Sequence, residues 1–211
     1  MNKKKKLVIA ICGASGAELG LKCLSKILHL DYLECYLVLS EGAKNVLRCE
    51  NNFHFDNFVE SLDSNISTNT RLKSTIEILK KYRNRFHIFD DRDLSSPIAS
   101  GSFGVNAMAI IPCSVNSLAK IAYGISDTLI TRSALVCLKE QKKLLLAPRE
   151  MPLNAIILQN MLTLCNLNVV ISPPILGYYS NASSLEDMEN FVIGKWLDSL
   201  DIENSLYKHW E

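Results

Sequence analysis

The sequence predicts an α/β fold in which a mainly parallel sheet lies between two layers of helices. Apolar, strand-like runs alternate with segments of helical periodicity, giving five strand-then-helix steps along the chain. The run Leu7–Cys12 is apolar throughout, which is typical of a central parallel strand covered on both faces. Such a series of steps favours a Rossmann-like three-layer sandwich. The length of 211 residues, without repeats or a low-complexity linker, predicts a single domain.

The predicted elements follow one another in a regular order. The predicted strands are Leu7–Cys12, Cys35–Leu39, Ala107–Ile111, Lys143–Ala147 and Val169–Ser172. The predicted helices are Ala17–Leu28, Glu41–Cys49, Ser117–Tyr123, Thr128–Glu140 and Leu153–Cys165, followed by a last helix that ends near Leu200. Ser126 and Asp127 are candidate caps of the fourth helix, and Ser183 with Glu186 has the spacing of a capping box for the last helix.

Residues 50–95 differ in composition from the rest of the chain, since they are rich in Asn, Ser and Asp. They contain one predicted helix, Ser74–Tyr82, and a short candidate strand at His87–Phe89. The pattern assigns no function to this segment.

Charge and hydropathy exclude several classes of protein. The formal net charge is +1, so no overall field favours nucleic acid or an acidic membrane. We interpret the four lysines at residues 3–6 as a solvated tail before the first strand. No stretch reaches the ~20 apolar residues of a membrane helix, and the pattern indicates no signal peptide. We therefore expect a cytoplasmic protein.

The cysteines and histidines indicate neither a disulfide framework nor a metal site. The seven cysteines are scattered, include no C-x-x-C, and lie mostly in apolar strand or helix patterns. This distribution is typical of free thiols in a reducing cytosol. The four histidines include no pair at i and i+4, so the sequence predicts no zinc site and no other metal.

The segment GASG, residues 13–16, directly follows the first predicted strand. It lacks the Gly-Lys of the P-loop, and its glycines at 13, 16 and 20 do not match the G-x-G-x-x-G of dinucleotide-binding proteins. Gly13 and Gly16 permit close approach of the backbone to a ligand, and the next helix offers N–H groups to an anion. The segment is either an anion-binding loop or a simple tight turn.

Polar residues also follow the other predicted strands, at the edge where ligands of such sheets bind. Ser40 follows the second strand. Ser114 and Ser117 follow the third, where they either bind a phosphate or cap the next helix. Arg149 and Glu150 follow the fourth, as either a binding pair or a structural ion pair. Because these residues all fall at one edge of the sheet, the sequence predicts a binding site there.

Three further residues are candidates for phosphate contacts. Arg132 and Lys139 lie two turns apart on one predicted helix and therefore share a face. They either converge on a phosphate or form a solvated surface. Ser100 belongs to the segment Ser-Gly-Ser before the third strand, which is either an anion-binding segment or an ordinary loop.

Five segments in one order carry a family resemblance. They are GASGAELG, SPIASGSF, IIPCSVNSLAKIAYGISDTLITRSALVCLKE, APREMPL and ISPPILGYYSNASSLEDM. Together they resemble the UbiX-type flavin prenyltransferases, within the wider group of flavoprotein decarboxylase-like folds. The resemblance runs from about residue 7 to Trp210 and is interrupted at residues 50–90, which are longer and more polar than usual.

The resemblance implies a flavoprotein that binds FMN and needs no metal. In that family, dimethylallyl phosphate prenylates reduced FMN at N5, and ring closure at C6 gives prenylated FMN. The implied FMN contacts are Gly13, Ala14, Ser15, Ser40, Ser114, Val115, Asn116, Ser117 and Arg149. The implied contacts to dimethylallyl phosphate are Ser100, Arg132, Lys139, Tyr179, Lys195 and Trp210. Ser15 and Glu150 are the implied catalytic residues, with Glu150 either relaying a proton or orienting Ser15.

The chain departs from the family pattern near these residues. Cys12 stands where Ser is usual, Met151 where Thr is frequent, and Lys195 where Arg is often found. Glu18 and Leu19 replace a more usual small or aromatic pair. These departures put in question the details of substrate binding and leave the implied reaction unchanged.

The resemblance further implies a homo-oligomer, a dodecamer with the site at subunit contacts, whose product serves a UbiD-type decarboxylase. Three alternatives remain open. They are an FMN-dependent cysteine decarboxylase, a non-catalytic flavin-binding subunit, and a nicotinamide reductase with Glu41 as ribose acceptor. Arg132, Lys139 and Lys195 together favour a phosphate-bearing substrate over a cysteine peptide, and the glycine spacing argues against the reductase.

Overall fold

The protein is built on one six-stranded parallel sheet. A computed structural model describes residues 4–60 and 71–208. The strands are β1 Lys5–Ile11, β2 Leu33–Leu39, β3 Phe86–Asp90, β4 Ala107–Cys113, β5 Lys143–Pro148 and β6 Val170–Ile171. Their order is β3-β2-β1-β4-β5-β6, and every neighbouring pair is parallel. The predicted α/β architecture is confirmed, including the candidate strand at His87–Phe89, which lies within β3.

Helices cover both faces of the sheet. They are α1 Glu18–Ile27, α2 Glu41–Asn51, α3 Phe55–Glu60, α4 Lys73–Lys81, α5 Val115–Ala122, α6 Leu129–Lys139, α7 Ala155–Cys165 and α8 Leu185–Ser199. Successive residues of a strand point to opposite faces, so Ile9 packs into the core with α1, α2, α4 and α8, whereas Val8 packs with α5, α6 and α7. Across the described ranges, no helix has the length and hydropathy needed to span a membrane.

The lysine run is partly structural. β1 begins at Lys5, two residues earlier than predicted. The amide of Lys6 donates to Asn106 Oδ1 at 2.8 Å, and its ammonium donates to the Phe103 carbonyl at 2.9 Å while lying 3.4 Å from the Phe103 ring centroid. The interpretation as a solvated tail is therefore wrong for Lys5 and Lys6, and Lys3 lies outside the described residues.

The cap of α6 differs from the predicted one. Thr128, rather than Ser126 or Asp127, accepts the N–H of Thr131, whose hydroxyl in turn accepts the Thr128 N–H. Asp127 instead forms an ion pair with Lys120 at 2.6 Å. A β-branched Thr at the N-cap satisfies the same orphan donors as Ser or Asp.

The capping box of α8 lies one residue after the predicted one. Ser184 accepts the N–H of Asp187, and the Asp187 carboxylate accepts the N–H of Ser184. Ser183, the predicted cap, donates its hydroxyl to the same carboxylate at 3.0 Å. The sequence allowed both registers because two adjacent Ser residues precede two adjacent acidic residues, Glu186 and Asp187.

The polar segment after α2 contributes to the core. Leu72, Ile76 and Leu79 are buried between α4 and the helices on the same face of the sheet. The predicted helix Ser74–Tyr82 is thus confirmed to within one residue at each end. The segment before it, residues 61–70, lies outside the described residues.

Gly20 lets helix α1 pack closely on the two central strands. A Cβ at Gly20 would lie 2.3 Å from the Ile111 carbonyl oxygen of β4 and 2.6 Å from Ile11 Cγ1 of β1. The glycine therefore fixes how deeply the helix that follows the GASG loop packs on the sheet.

Substitution of Gly20 by alanine should destabilise the fold. Alanine favours helix by about 1 kcal/mol over glycine, but overlap with a backbone oxygen forces α1 outward at a typical net cost of about 1–3 kcal/mol. Equilibrium denaturation by urea measures the change. Gly124→Asn is the control, because Gly124 has φ +73° with open space around it and Asn tolerates that conformation. Equal stability of the wild type and Gly20→Ala would contradict the packing argument.

Candidate active site

The candidate site lies at the carboxyl edge of the sheet, where β1 and β4 are neighbours. The helices that follow these strands cover opposite faces, so a crevice opens between them, as at the switch point of other doubly wound sheets. The amide of Cys12 donates to the Pro112 carbonyl at 3.0 Å, and that of Ser40 to the Ile11 carbonyl at 3.0 Å. The loops after β1, β2 and β4 therefore converge at one place, as the sequence predicted.

The GASG loop packs against the start of α2. A Cβ at Gly13 would lie 2.8 Å from Gly42 Cα, so only glycine permits this contact. Gly16 has φ +82° and donates its amide to Glu50 Oε2 at 2.9 Å. Ala14 and Ser15 lie between them, with the Ala14 amide closing a turn onto the Cys12 carbonyl at 2.9 Å.

The serines of the neighbouring loops are helix caps. Ser40 accepts the N–H of Ala43 at 3.1 Å, and Ser114 accepts that of Ser117 at 3.2 Å. The capping alternative is thus observed, yet it does not exclude a ligand role. Both caps direct a helix N-terminus, with its unpaired N–H groups and partial positive charge, toward the crevice.

A chain of hydroxyl and thiol groups links the start of α5 to β1. Ser114 Oγ donates to Ser117 Oγ at 3.0 Å, which donates to Cys12 Sγ at 3.2 Å. Val115 and Asn116, the first two residues of α5, lie between these serines. The three side chains hold the first turn of α5 against the end of β1.

Arg149 and Glu150 lie at the same edge, directly after β5. The Arg149 amide donates to the Cys113 carbonyl at 3.2 Å, and Glu150 Oε1 accepts the Met151 amide at 3.0 Å. Both side chains are exposed, and in the described part of the chain neither takes part in a salt bridge. This argues against the structural ion pair and leaves both charges available to a ligand.

A cavity of about 470 Å³ adjoins the GASG loop and α8. Its apolar wall includes Leu19, Pro174, Leu176, Leu185 and Met188, and its polar rim includes Ser15, Glu18 and Glu50. Sequence reasoning assigned none of the apolar residues to the site. Their only signal was their place in the motif segments after β1 and β6.

Glu18 is the centre of a buried polar network beside this cavity. Its carboxylate accepts hydrogen bonds from Lys22 at 3.2 Å, from Asn51, and from Arg71 at 3.5 Å. Lys22 also pairs with Glu189 of α8 at 2.6 Å. The network ties α1 to α2, to the residues just before α4 and to α8, and the i,i+4 spacing of Glu18 and Lys22 was its only sequence signal.

Tyr179 and Lys195 lie around one aromatic cluster on α8 and its neighbouring segments. The Tyr179 ring is edge-on to Phe191 with centroids 5.3 Å apart, and Phe191 is edge-on to Tyr207 at 5.2 Å. Lys195 Nζ lies 5.6 Å from the Tyr207 centroid. The structure thus brings together two of the six residues implied to contact dimethylallyl phosphate, and a third, Trp210, lies outside the described residues.

Ser100, Arg132 and Lys139 lie on α6 and on the segment that packs against it, and Lys139, in the last turn of α6, lies at the other end of the sheet. Arg132 Nε donates to the Ala99 carbonyl at 3.1 Å, and a Cβ at Gly101 would lie 2.9 Å from Lys139 Nζ. The last turn of α6, which carries Lys139, leads into the amino end of β5. One strand length, seven residues or about 23 Å, separates the two ends of the sheet. Within one chain, Lys139 therefore lies far from the GASG loop.

The thiols at the crevice, Cys12 and Cys113, are buried and stay protonated at neutral pH. Burial raises the pKa of the Cys12 thiol to about 11 and that of Cys113 well above its usual value. All seven cysteines are free thiols. Among residues 4–60 and 71–208, no group of three or more His, Cys, Asp or Glu side chains is arranged to hold a metal ion.

These features define a mononucleotide-binding α/β protein of the flavoprotein class. The chain matches the family described as Flavoprotein over residues 1–196. It is 41% identical over 206 residues to the flavin prenyltransferase UbiX of Campylobacter jejuni, with 98% of each chain covered. The chain belongs to the UbiX family of flavin prenyltransferases.

Two solved structures share the fold over nearly the whole chain. The structure described as AnUbiX (PadA1) in complex with FMN and dimethylallyl pyrophosphate is 32% identical, with a TM-score of 0.82 and 99% and 98% of the two chains covered. A dodecameric FMN-dependent UbiX-like decarboxylase from Escherichia coli O157:H7 is also 32% identical, with a TM-score of 0.80 and 98% of each chain covered. The predicted resemblance is confirmed.

The thiols at the crevice should resist alkylation in the native protein. With a pKa of about 11, roughly one Cys12 thiol in a thousand is ionised at pH 8, and thiolate is the reactive form. Brief treatment with iodoacetamide at pH 8, followed by peptide mass spectrometry, should label exposed Cys49 and leave Cys12 unmodified. Raising the pH toward 10 should increase labelling at Cys12. Comparable labelling of both residues at pH 8 would contradict this description of the crevice.

Proposed function

We propose that this protein joins the dimethylallyl group of dimethylallyl phosphate to reduced FMN, first at N5 and then by ring closure at C6. The observation that carries the proposal is the convergence of the GASG loop, the capped starts of α2 and α5, and Arg149 with Glu150 at one crevice. Family membership adds the reaction class, and the three alternative functions receive no comparable support.

The crevice fits a flavin mononucleotide. Gly13 lets the GASG loop pack directly against the start of α2, and the N-termini of α2 and α5 offer donors for a single phosphate. Gly13, Ala14, Ser15 and Ser40 would line one side, and Ser114 to Ser117 with Arg149 the other. FMN has one phosphate and no second nucleotide, so a protein that binds it does not need the G-x-G-x-x-G fingerprint of dinucleotide-binding proteins. This explains why the glycines at 13, 16 and 20 do not have that spacing.

The cationic residues would stabilise the leaving phosphate. As the C–O bond of dimethylallyl phosphate lengthens, negative charge develops on the phosphate, and Arg132, Lys139 and Lys195 stabilise that charge. Lysine is a point charge without the bidentate geometry of arginine, so Lys195 holds the phosphate less rigidly than an arginine would. Tyr179 and Trp210 would exclude water from the allylic group.

Glu150 would accept the proton that leaves C6 during ring closure. Its carboxylate is exposed at the crevice, where it already accepts a backbone amide, and it retains a further oxygen for a proton or for the Ser15 hydroxyl. Ser15 lies in the loop between Gly13 and Gly16, on the rim of the neighbouring cavity. Both residues are therefore placed at the edge where the flavin would bind.

A second copy of the chain would complete the site. The crevice lies at the carboxyl edge, whereas Lys139 with Ser100 lies toward the amino edge about one strand length away. The crevice and the Ser100–Lys139 group can serve one reaction only if one copy of the chain places its Ser100–Lys139 group against the crevice of another copy. This arrangement requires a homo-oligomer.

The surface of α7 supports such an assembly. Ile156 is 72% exposed, and Leu158 and Leu162 of the same helix are about half exposed. Met151 precedes the helix and is 84% exposed. Several large apolar side chains exposed on and beside one helix are typical of a surface that contacts another protein. We propose a homo-oligomer, with the dodecamer of the UbiX-like relative as the expected state.

The product would serve a second enzyme. Prenylated FMN is a finished cofactor, and a UbiD-type decarboxylase is the recipient that family membership suggests. We propose that the protein acts in the cytoplasm, because its seven free thiols suit a reducing compartment.

Incubation with reduced FMN and a prenyl donor tests the reaction. Under anaerobic conditions, the flavin released from the wild type should gain the mass of one C5 unit. Dimethylallyl phosphate and dimethylallyl diphosphate should be tried separately. Glu150→Gln should slow formation of the ring-closed product, and Lys139→Ala should reduce turnover by about 10²-fold or more through loss of a charge contact to the leaving phosphate.

Lys142→Ala is the matched control, because Lys142 is an exposed lysine three residues from Lys139 and has no role in the proposed site. It should retain wild-type turnover. Recovery of unmodified FMN from the wild type with either donor would overturn the proposed reaction. Equal losses in Lys142→Ala and Lys139→Ala would show that the loss comes from surface charge in general.

A further inference from the structure

The segment after α8 folds back onto that helix and places Tyr207 beside Lys195. Asp198 anchors the fold-back, because one of its carboxylate oxygens accepts the Tyr207 hydroxyl and the other accepts Asn204 Nδ2 at 2.8 Å. Asn204 Oδ1 in turn accepts the Leu206 amide at 3.3 Å. Three hydrogen bonds thus fix the position of a residue that the sequence did not single out.

The ring of Tyr207 lies directly over the α8 backbone. A Cβ at Gly194 would lie 2.4 Å from Tyr207 Cδ1, so a residue with a side chain at 194 cannot coexist with this ring position. Burial, reinforced by the hydrogen bond to Asp198, raises the pKa of Tyr207 to about 12, so the phenol remains a donor at working pH. The ring is therefore held in one place by both contacts.

We infer that Tyr207 is a positioning residue that orients Lys195 and Tyr179 toward the prenyl donor. This inference rests on the proposed function. Lys195 is exposed and has a flexible four-carbon side chain, and its ammonium lies within cation–π range of the Tyr207 ring. On the other side, Tyr207 contacts Phe191, whose ring is edge-on to Tyr179.

The cluster explains how a lysine serves at a position where the family often has arginine. A lysine lacks the planar fork that fixes an arginine on a phosphate. The face of an aromatic ring restricts the ammonium without consuming its hydrogen-bond donors. Tyr207 thus reduces the number of positions that the charge samples before the donor binds.

Kinetics of two variants test the inference. Tyr207→Ala should raise KM for dimethylallyl phosphate about 5- to 20-fold, while the Kd for FMN stays within about twofold of wild type. Tyr207→Phe keeps the ring and loses only the hydroxyl, so it should recover most of the donor affinity. The Kd of dimethylallyl phosphate for the FMN-loaded protein, measured at equilibrium, should rank the wild type, Tyr207→Phe and Tyr207→Ala in the same order as KM does.

Gly194→Ala supplies an independent test, because it displaces the ring without altering Tyr207 itself. It should reproduce the rise in KM in the wild-type background and have little further effect in Tyr207→Ala, since both changes remove the same contact. Tyr178→Ala is the control, because Tyr178 is 82% exposed on the same turn as Tyr179. It should leave both the KM for dimethylallyl phosphate and the Kd for FMN unchanged.

Two results would overturn the inference. One is an unchanged donor KM in both Tyr207→Ala and Gly194→Ala. The other is a parallel loss of FMN affinity, oligomeric state and donor affinity, which would assign Tyr207 a purely structural role. Absence of prenyl transfer by the wild type would instead reject the proposed function, and the inference with it.

Discussion

The parallel pairing of β1 with β4 is the constraint on which the site depends. The helices that follow these strands cover opposite faces of the sheet, so the loops at the ends of the strands separate and form a crevice. Gly20 lets α1 pack on both strands, and Gly13 lets the GASG loop contact α2. Lost contact at either glycine would move the backbone amides that line the crevice.

The chain places its candidate charges at two distant positions, and this has a chemical consequence. Arg149 and Glu150 lie at the crevice, whereas Lys139 lies near the opposite edge with Ser100. Neither group alone provides both a nucleotide-binding wall and a cationic pocket for a leaving phosphate. If copies assemble so that the two groups meet, the reaction is restricted to the oligomer, where water is also excluded from the allylic group.

The sequence was sufficient to predict the structural features that depend on local or periodic residue patterns. The alternation of apolar strand-like runs with helical segments located the strands of the sheet. Loop residues such as Arg149 could be placed at one edge because the carboxyl ends of parallel strands lie at the same edge. It was insufficient where two registers were equivalent, as at Ser183 and Ser184, and where partners lie far apart in the chain. The contacts of Glu18 with Arg71, and of Tyr207 with Lys195, depend on how helices pack, which no local pattern encodes.

Complementation between two inactive variants tests the shared site most directly. Arg149→Ala and Lys139→Ala chains, with different affinity tags, would be co-expressed and isolated as mixed oligomers through both tags. We predict that each variant alone is nearly inactive and that mixed oligomers regain prenyl transfer, because some sites combine the intact crevice of one copy with the intact Lys139 of another. Mixed oligomers no more active than the two separate variants would contradict a site shared between copies.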